Sequence, residues 1–94
     1  MDPLARQFAA ENREYLEKHR PEIFADLQRR GDLNKWTSSV GEEADQKFEQ
    51  LMMRGSQNKE MHSLPHLERV QRLRDLQEEA MEIVRDEIVL QPRD

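Results

Sequence analysis

Apolar residues recur along the chain at the three-to-four-residue spacing of a helix, and nowhere with the alternation of a strand. Leu4, Phe8, Tyr15 and Leu16 share one face of a first segment. Asp2 is placed to cap its start, and Pro3 to occupy the first helical position, where its missing N–H costs nothing. The segment ends at Arg20, because the residue before Pro21 is pushed out of the α region. Pro21 then opens a short second helix carrying Ile23, Phe24 and Leu27, and Gly31 is placed to close it in the left-handed conformation. The pattern predicts helices over residues 3–20 and 21–30, with a sharp corner at His19-Arg20-Pro21.

Further along, Leu33, Trp36, Val40, Ala44, Phe48, Leu51 and Met52 fall within an arc of about 160° at helical spacing. The arc keeps its phase through Gly41, so one helix is predicted over 32–54, with Gly41 costing about 1 kcal/mol relative to Ala. An alternative start at Ser39 forms a capping box with Glu42. Gly55 is expected to stop the helix in either case. Residues 56–63 are polar and read as a loop, and Pro65 fits a helix start. Val70, Leu73, Leu76, Ala80, Ile83, Val84 and Ile88 define an arc of about 140° on a final helix over 64–90, closed by Pro92. At 1.5 Å per residue that helix is on the order of 38 Å long. It exceeds what a compact globule of 94 residues covers with itself, so a partner or a second copy is expected over the overhang. The expected architecture is an all-α, small four-helix bundle with a long C-terminal helix, forming a single domain over 1–94. No internal repeat or low-complexity segment interrupts it.

Composition narrows the class. Hydrophobic residues make up 35% of the chain and charged residues 37%, and mean hydropathy is −1.06. A chain this short buries a small core, so modest stability is expected without a partner. Regular apolar spacing and alternating charge signs argue against disorder. The absence of cysteine excludes disulfides and thiolate chemistry and is compatible with a reducing compartment. No apolar run approaches the roughly 20 residues that span a bilayer, and residues 1–20 are too polar for a signal peptide, so a cytoplasmic protein without membrane contact is expected. The net charge of −5 opposes nonspecific binding to nucleic acid, whose backbone attracts Lys and Arg.

Little in the chain suggests chemistry. His62 and His66 have the i, i+4 spacing of a helical metal pair, with Glu60 and Glu68 nearby, but Pro65 and a presumed helix start fall between them. They read as surface residues at a loop–helix junction, and no metal or cofactor is expected. His19 falls on the apolar side of the first helix and reads as a packed, hydrogen-bonded residue. No nucleophile with its base, phosphate-binding glycine loop or dinucleotide fingerprint occurs. Catalytic carboxylate pairs need a cleft that shifts their pKa values, which a small bundle rarely offers, so the protein is expected not to be an enzyme. Trp36 would anchor an interface if exposed, but its place on the apolar arc assigns it to the core.

The informative surface is the last helix. Glu68, Asp75, Glu78, Glu79, Glu82 and Asp86 project within about 100° of one another, opposite the apolar arc. The pairs Asp75/Glu79, Glu78/Glu82 and Glu82/Asp86 are like charges at i, i+4, each destabilising by a few tenths of a kcal/mol. They also crowd toward the helix C-terminus, where the dipole favours cations. One reading is a solvated face partly offset by Arg72, Arg74 and Arg85; the other is an acidic docking face for a basic protein. Lys18, Arg20, Arg29 and Arg30 gather near the corner at Pro21 as the candidate contacts to nucleic acid, without a continuous basic stripe or an aromatic stacking platform.

Taken in order, Tyr15-Leu16, His19-Arg20-Pro21, Leu27, Gly31 and Leu33 resemble the opening block of the TnpV-like family, small proteins encoded on bacterial transposons and conjugative elements. The resemblance continues through Ala44, Phe48, Leu51, Ala80, Glu82-Ile83-Val84 and Glu87-Ile88 and spans residues 15–89, with 56–63 and the start of the final helix matching poorly. The matching positions are mostly core, corner or cap, so it implies a shared fold. It also implies a mobile-element or phage setting, with accessory roles in excision or recombination. The expected function is a non-enzymatic regulator or inhibitor acting through protein binding, such as by blocking a nucleic-acid-binding host protein like a defence nuclease. A DNA-binding accessory factor and a structural homodimer are the alternatives.

Overall fold

The computed structural model describes residues 2–57 and 59–91. Among these residues the chain is helical throughout, in the order α1 (Pro3–His19), α2 (Pro21–Arg30), α3 (Leu33–Ser56), α4 (Lys59–Ser63) and α5 (His66–Val84), which runs on into a π-helical turn, Arg85–Val89. The Asp2 carboxylate accepts the Leu4 N–H at 3.0 Å and caps α1, with Pro3 following it as the first helical residue. Gly31 closes α2 at φ 76°, in the left-handed region that a side chain disfavours. The Asp32 N–H reaches back to the Leu27 carbonyl at 2.9 Å, completing the C-terminal turn.

Four expectations are corrected. Helix α3 starts at Leu33 and passes Gly55 to end at Ser56. Gly55 marks a close approach rather than a stop, because a Cβ there would run into the Leu76 side chain of α5. The stretch expected to be a loop contains α4, whose Met61 is buried against its surroundings. The last helix begins one residue after Pro65, which stands at the cap position. Finally, that helix does not stay α-helical to its end: the Leu90 N–H bonds the Arg85 carbonyl at 2.8 Å, five residues back, which defines the π turn. Pro92, expected to close the helix, lies outside the described residues, as does Asn58 within the expected loop.

Gly41 sits where α1 crosses α3. A Cβ on Gly41 would collide with the Ala5 carbonyl oxygen and lie 2.9 Å from the Ala9 Cβ. Its helix-propensity cost is therefore offset by the backbone approach it permits. Around that crossing, Phe8, Val40, Ala44, Val84, Ile88 and Val89 form the main core, with Leu4, Phe48, Leu51 and Met81 packed against it. Leu16, Leu27 and Leu33 form a second cluster at the α1–α2 corner. Trp36 is half-buried and touches both, with its indole N–H enclosed and without a hydrogen-bond partner.

The molecule measures 54 × 23 × 19 Å. Its elongation follows from unequal helix lengths. Helix α1 packs on α3 and on the π turn, whereas α5 proper packs on α3 and α4. The proximal part is thus three or more helices thick, and the distal part is a hairpin of α3 and α5 joined through α4. No helix among the described residues is long and apolar enough to cross a membrane.

Candidate protein-binding face

The six carboxylates of the stripe, Glu68, Asp75, Glu78, Glu79, Glu82 and Asp86, are all exposed. None of them forms an ion pair among the described residues. The structure divides them. Glu78, Glu82 and Asp86 border a groove of about 590 Å³ together with Ile83, Arg85 and Leu90. Glu68 and Asp75 border a different groove, of about 360 Å³, with Glu60, Leu64, Gln71 and Arg72. Glu79 stands exposed on the same helix beside the first set.

Arg85 does not neutralise the stripe it belongs to. Its Nε donates to Glu11 Oε1 on α1 at 2.6 Å, and its Nη2 donates to Glu11 Oε2 at 3.3 Å. The hydrogen bond to Glu11 holds the guanidinium even more firmly protonated than usual. This bridge ties α1 to the π turn and leaves the neighbouring carboxylates uncompensated. On its far side lies a groove of about 530 Å³ lined by Glu11, Glu14, Tyr15, Lys18, His19, Arg20 and Leu90. Leu90, 42% exposed, lines both grooves, so an apolar patch sits where α1 and the end of α5 meet.

The basic residues near Pro21 are mostly engaged by their own helices. Lys18 pairs with Glu14 at 2.6 Å, and that hydrogen bond holds the Glu14 carboxyl below the usual carboxylate range and raises the Lys18 ammonium. Arg29 and Arg30 share the Asp26 carboxylate at 2.6 and 3.1 Å. Arg20 joins Lys18 in the groove beside Tyr15. His19 departs from expectation: it is exposed rather than packed in the core, and its ring lies 5.4 Å from that of Tyr15. His62 and His66 are both exposed, one in the last turn of α4 and the other opening α5.

Sequence reading missed the clasp that fixes this face. Asn12 is fully buried, and its Nδ2 donates to the Val89 carbonyl at 2.8 Å. Together with Glu11–Arg85 it locks the π turn onto α1. A signal was present: Asn12 lies at i+4 from Phe8 and i−4 from Leu16, on the apolar face. A second acidic group also emerges, with the carboxylates of Asp2, Asp45 and Glu49 close to one another at the start of α1. Partial burial, then the charges of Asp2 and Glu49, push the Asp45 carboxyl up.

The model of a family described as "Transposon-encoded protein TnpV" matches residues 5–89 of the chain, nearly its whole length. No curated protein and no solved structure matches it.

Proposed function

Because the chain belongs to the family of transposon-encoded TnpV proteins, we propose that it serves its mobile element as a non-enzymatic binding protein, capturing a basic protein on the acidic end of α5. One observation carries this reading: Glu78, Glu82 and Asp86 form no ion pair among the described residues and border a groove that Ile83 and Leu90 also line. Like charges at i, i+4 weaken the helix that bears them, and Arg85, which also borders the groove, is engaged by Glu11. A partner presenting Lys or Arg around an apolar anchor relieves that repulsion while covering Leu90. Acidic rims of this kind speed encounter and select against acidic competitors. A host protein that uses a cationic groove to hold nucleic acid, such as a defence nuclease, has the matching chemistry.

The test is affinity capture from host extract with the wild-type chain and with the combined Glu78→Lys, Glu79→Lys and Glu82→Lys variant. The account expects a basic protein to be retained by the first and lost by the second, with helical circular dichroism unchanged. Retention by the reversed face refutes it.

A second reading, an accessory factor that touches DNA, is favoured by Arg20 and Lys18 beside the Tyr15–His19 ring pair. Against it stand the carboxylates that hold Lys18, Arg29 and Arg30. It predicts duplex binding that weakens steeply with salt; no gel shift at low salt removes it.

A further inference from the structure

Arg85 is offered two carboxylates and takes the one farther away in sequence. It follows Glu82 by three positions, a spacing at which opposite charges on a helix pair, and both residues border the same groove. Asp86, next in sequence, does not share that face, and Glu78 lies two turns back. The guanidinium nevertheless reaches across to α1, with Nε 2.6 Å from Glu11 Oε1 and Nη2 3.3 Å from Glu11 Oε2. Two features favour that choice. Glu11 accepts two charge-assisted hydrogen bonds, the stronger kind. Its side chain is also only 25% exposed, so water and salt screen the pair less than they would a pair with the exposed Glu82. Beside it, Asn12 holds the Val89 carbonyl at 2.8 Å and keeps the turn that begins at Arg85 against α1.

We propose that Glu11 is a positioning residue for the acidic groove: it holds Arg85 off Glu82, and without it the arginine folds back onto that carboxylate as an internal cation. The charge of a groove built on α5 is thus set from α1. Arg85 is the competitor that an incoming Lys or Arg meets only when Glu11 is lost. The movement of Arg85 stands by itself, whereas its effect on binding rests on the reading of this groove as a cation site. Two measurements separate them.

The first follows the Arg85 Nε–H resonance in the isotopically labelled chain. Glu11→Gln is expected to shift it, and adding Glu82→Gln to that variant to shift it again. In the wild-type background Glu82→Gln is expected to leave it nearly unmoved. A resonance indifferent to Glu82 in both backgrounds overturns the proposal. The second measures, at low salt, the affinity for a short synthetic peptide carrying Lys on both sides of one Leu. Glu11→Gln is expected to weaken binding about threefold, the effect of one exposed ion pair. Arg85→Gln is expected to bind at least as well as the wild-type chain, and the Glu11→Gln, Arg85→Gln double variant to recover wild-type affinity. If Glu11 only braced the fold, removing Arg85 as well would restore nothing. Glu17→Gln removes the same charge from an exposed position on α1 that lines neither groove, and is expected to stay near the wild-type affinity. A double variant as weak as Glu11→Gln, or an equal loss in Glu17→Gln, overturns the proposal. A wild-type chain that ignores the peptide, while the Arg85 resonance answers to Glu82 only once Glu11 is gone, contradicts the cation-site reading and leaves the Arg85 movement standing.

Discussion

Asn12 shows how a single side chain fixes the end of a helix far away in sequence. Its amide donates to the Val89 carbonyl, a group at a helix end where no intrahelical donor follows, while its own Oδ1 is buried without a partner. Replacing it with Ala strands that carbonyl and opens a gap beside Phe8 and Leu16. Asn12→Ala is expected to destabilise the fold by about 1–3 kcal/mol in urea denaturation, with fraying of residues 85–90 seen first in amide exchange. An unchanged midpoint and unchanged exchange would show the clasp to be idle. The residue's position on the apolar face was visible in the sequence, but its partner was not, since nothing local links position 12 to position 89. The same holds for Gly41. Its cost in a helix was legible, whereas the Ala5 backbone that requires it belongs to another element.

At the scale of elements, capping chemistry was the most readable part. Asp2, Pro3, Pro21 and Gly31 mark the limits of α1 and α2 because their backbone preferences act locally. The end of α3, the presence of α4 and the π turn depend on tertiary contact and were not legible. Helix α3 passes Gly55 because Leu76 packs there. The π turn ends in a segment clasped by Glu11 and Asn12 from another helix. Helix α3 also carries a pH-dependent strain. Burial and the nearby Asp2 and Glu49 raise the Asp45 carboxyl above its ordinary value, so the folded state takes up its proton more readily than the unfolded chain. The stability tied to this group therefore falls as pH rises from the ordinary carboxylate range through the raised value. Asp45→Asn is expected to raise the melting temperature modestly at pH about 7 and to lose that advantage near pH about 2.5, where Asp45 is protonated in both states. An equal shift at both pH values would count against this assignment.

The whole molecule has two ends with different surfaces. The sequence announced an overhang through the length of its last helix, and the 54 Å extent bears that out. It did not reveal that the overhang is a two-helix hairpin, or that the carboxylate stripe splits between two grooves. Nor did it show that Ile83 and Leu90 line the groove beside the proximal set, or that Arg85 reaches across to Glu11 of α1. The distal end exposes Leu67 and Val70, and the proximal end carries an acidic groove. On the proposed reading, the acidic groove of this transposon-encoded family member is the surface that meets a basic partner. The most direct test of that role is amide-shift mapping on the isotopically labelled chain as the captured basic protein is added. The account predicts perturbations concentrated at residues 78–90 and at the adjoining residues 11–15 of α1, weakening with salt. Perturbations centred on residues 18–30, with 78–90 silent, would contradict it.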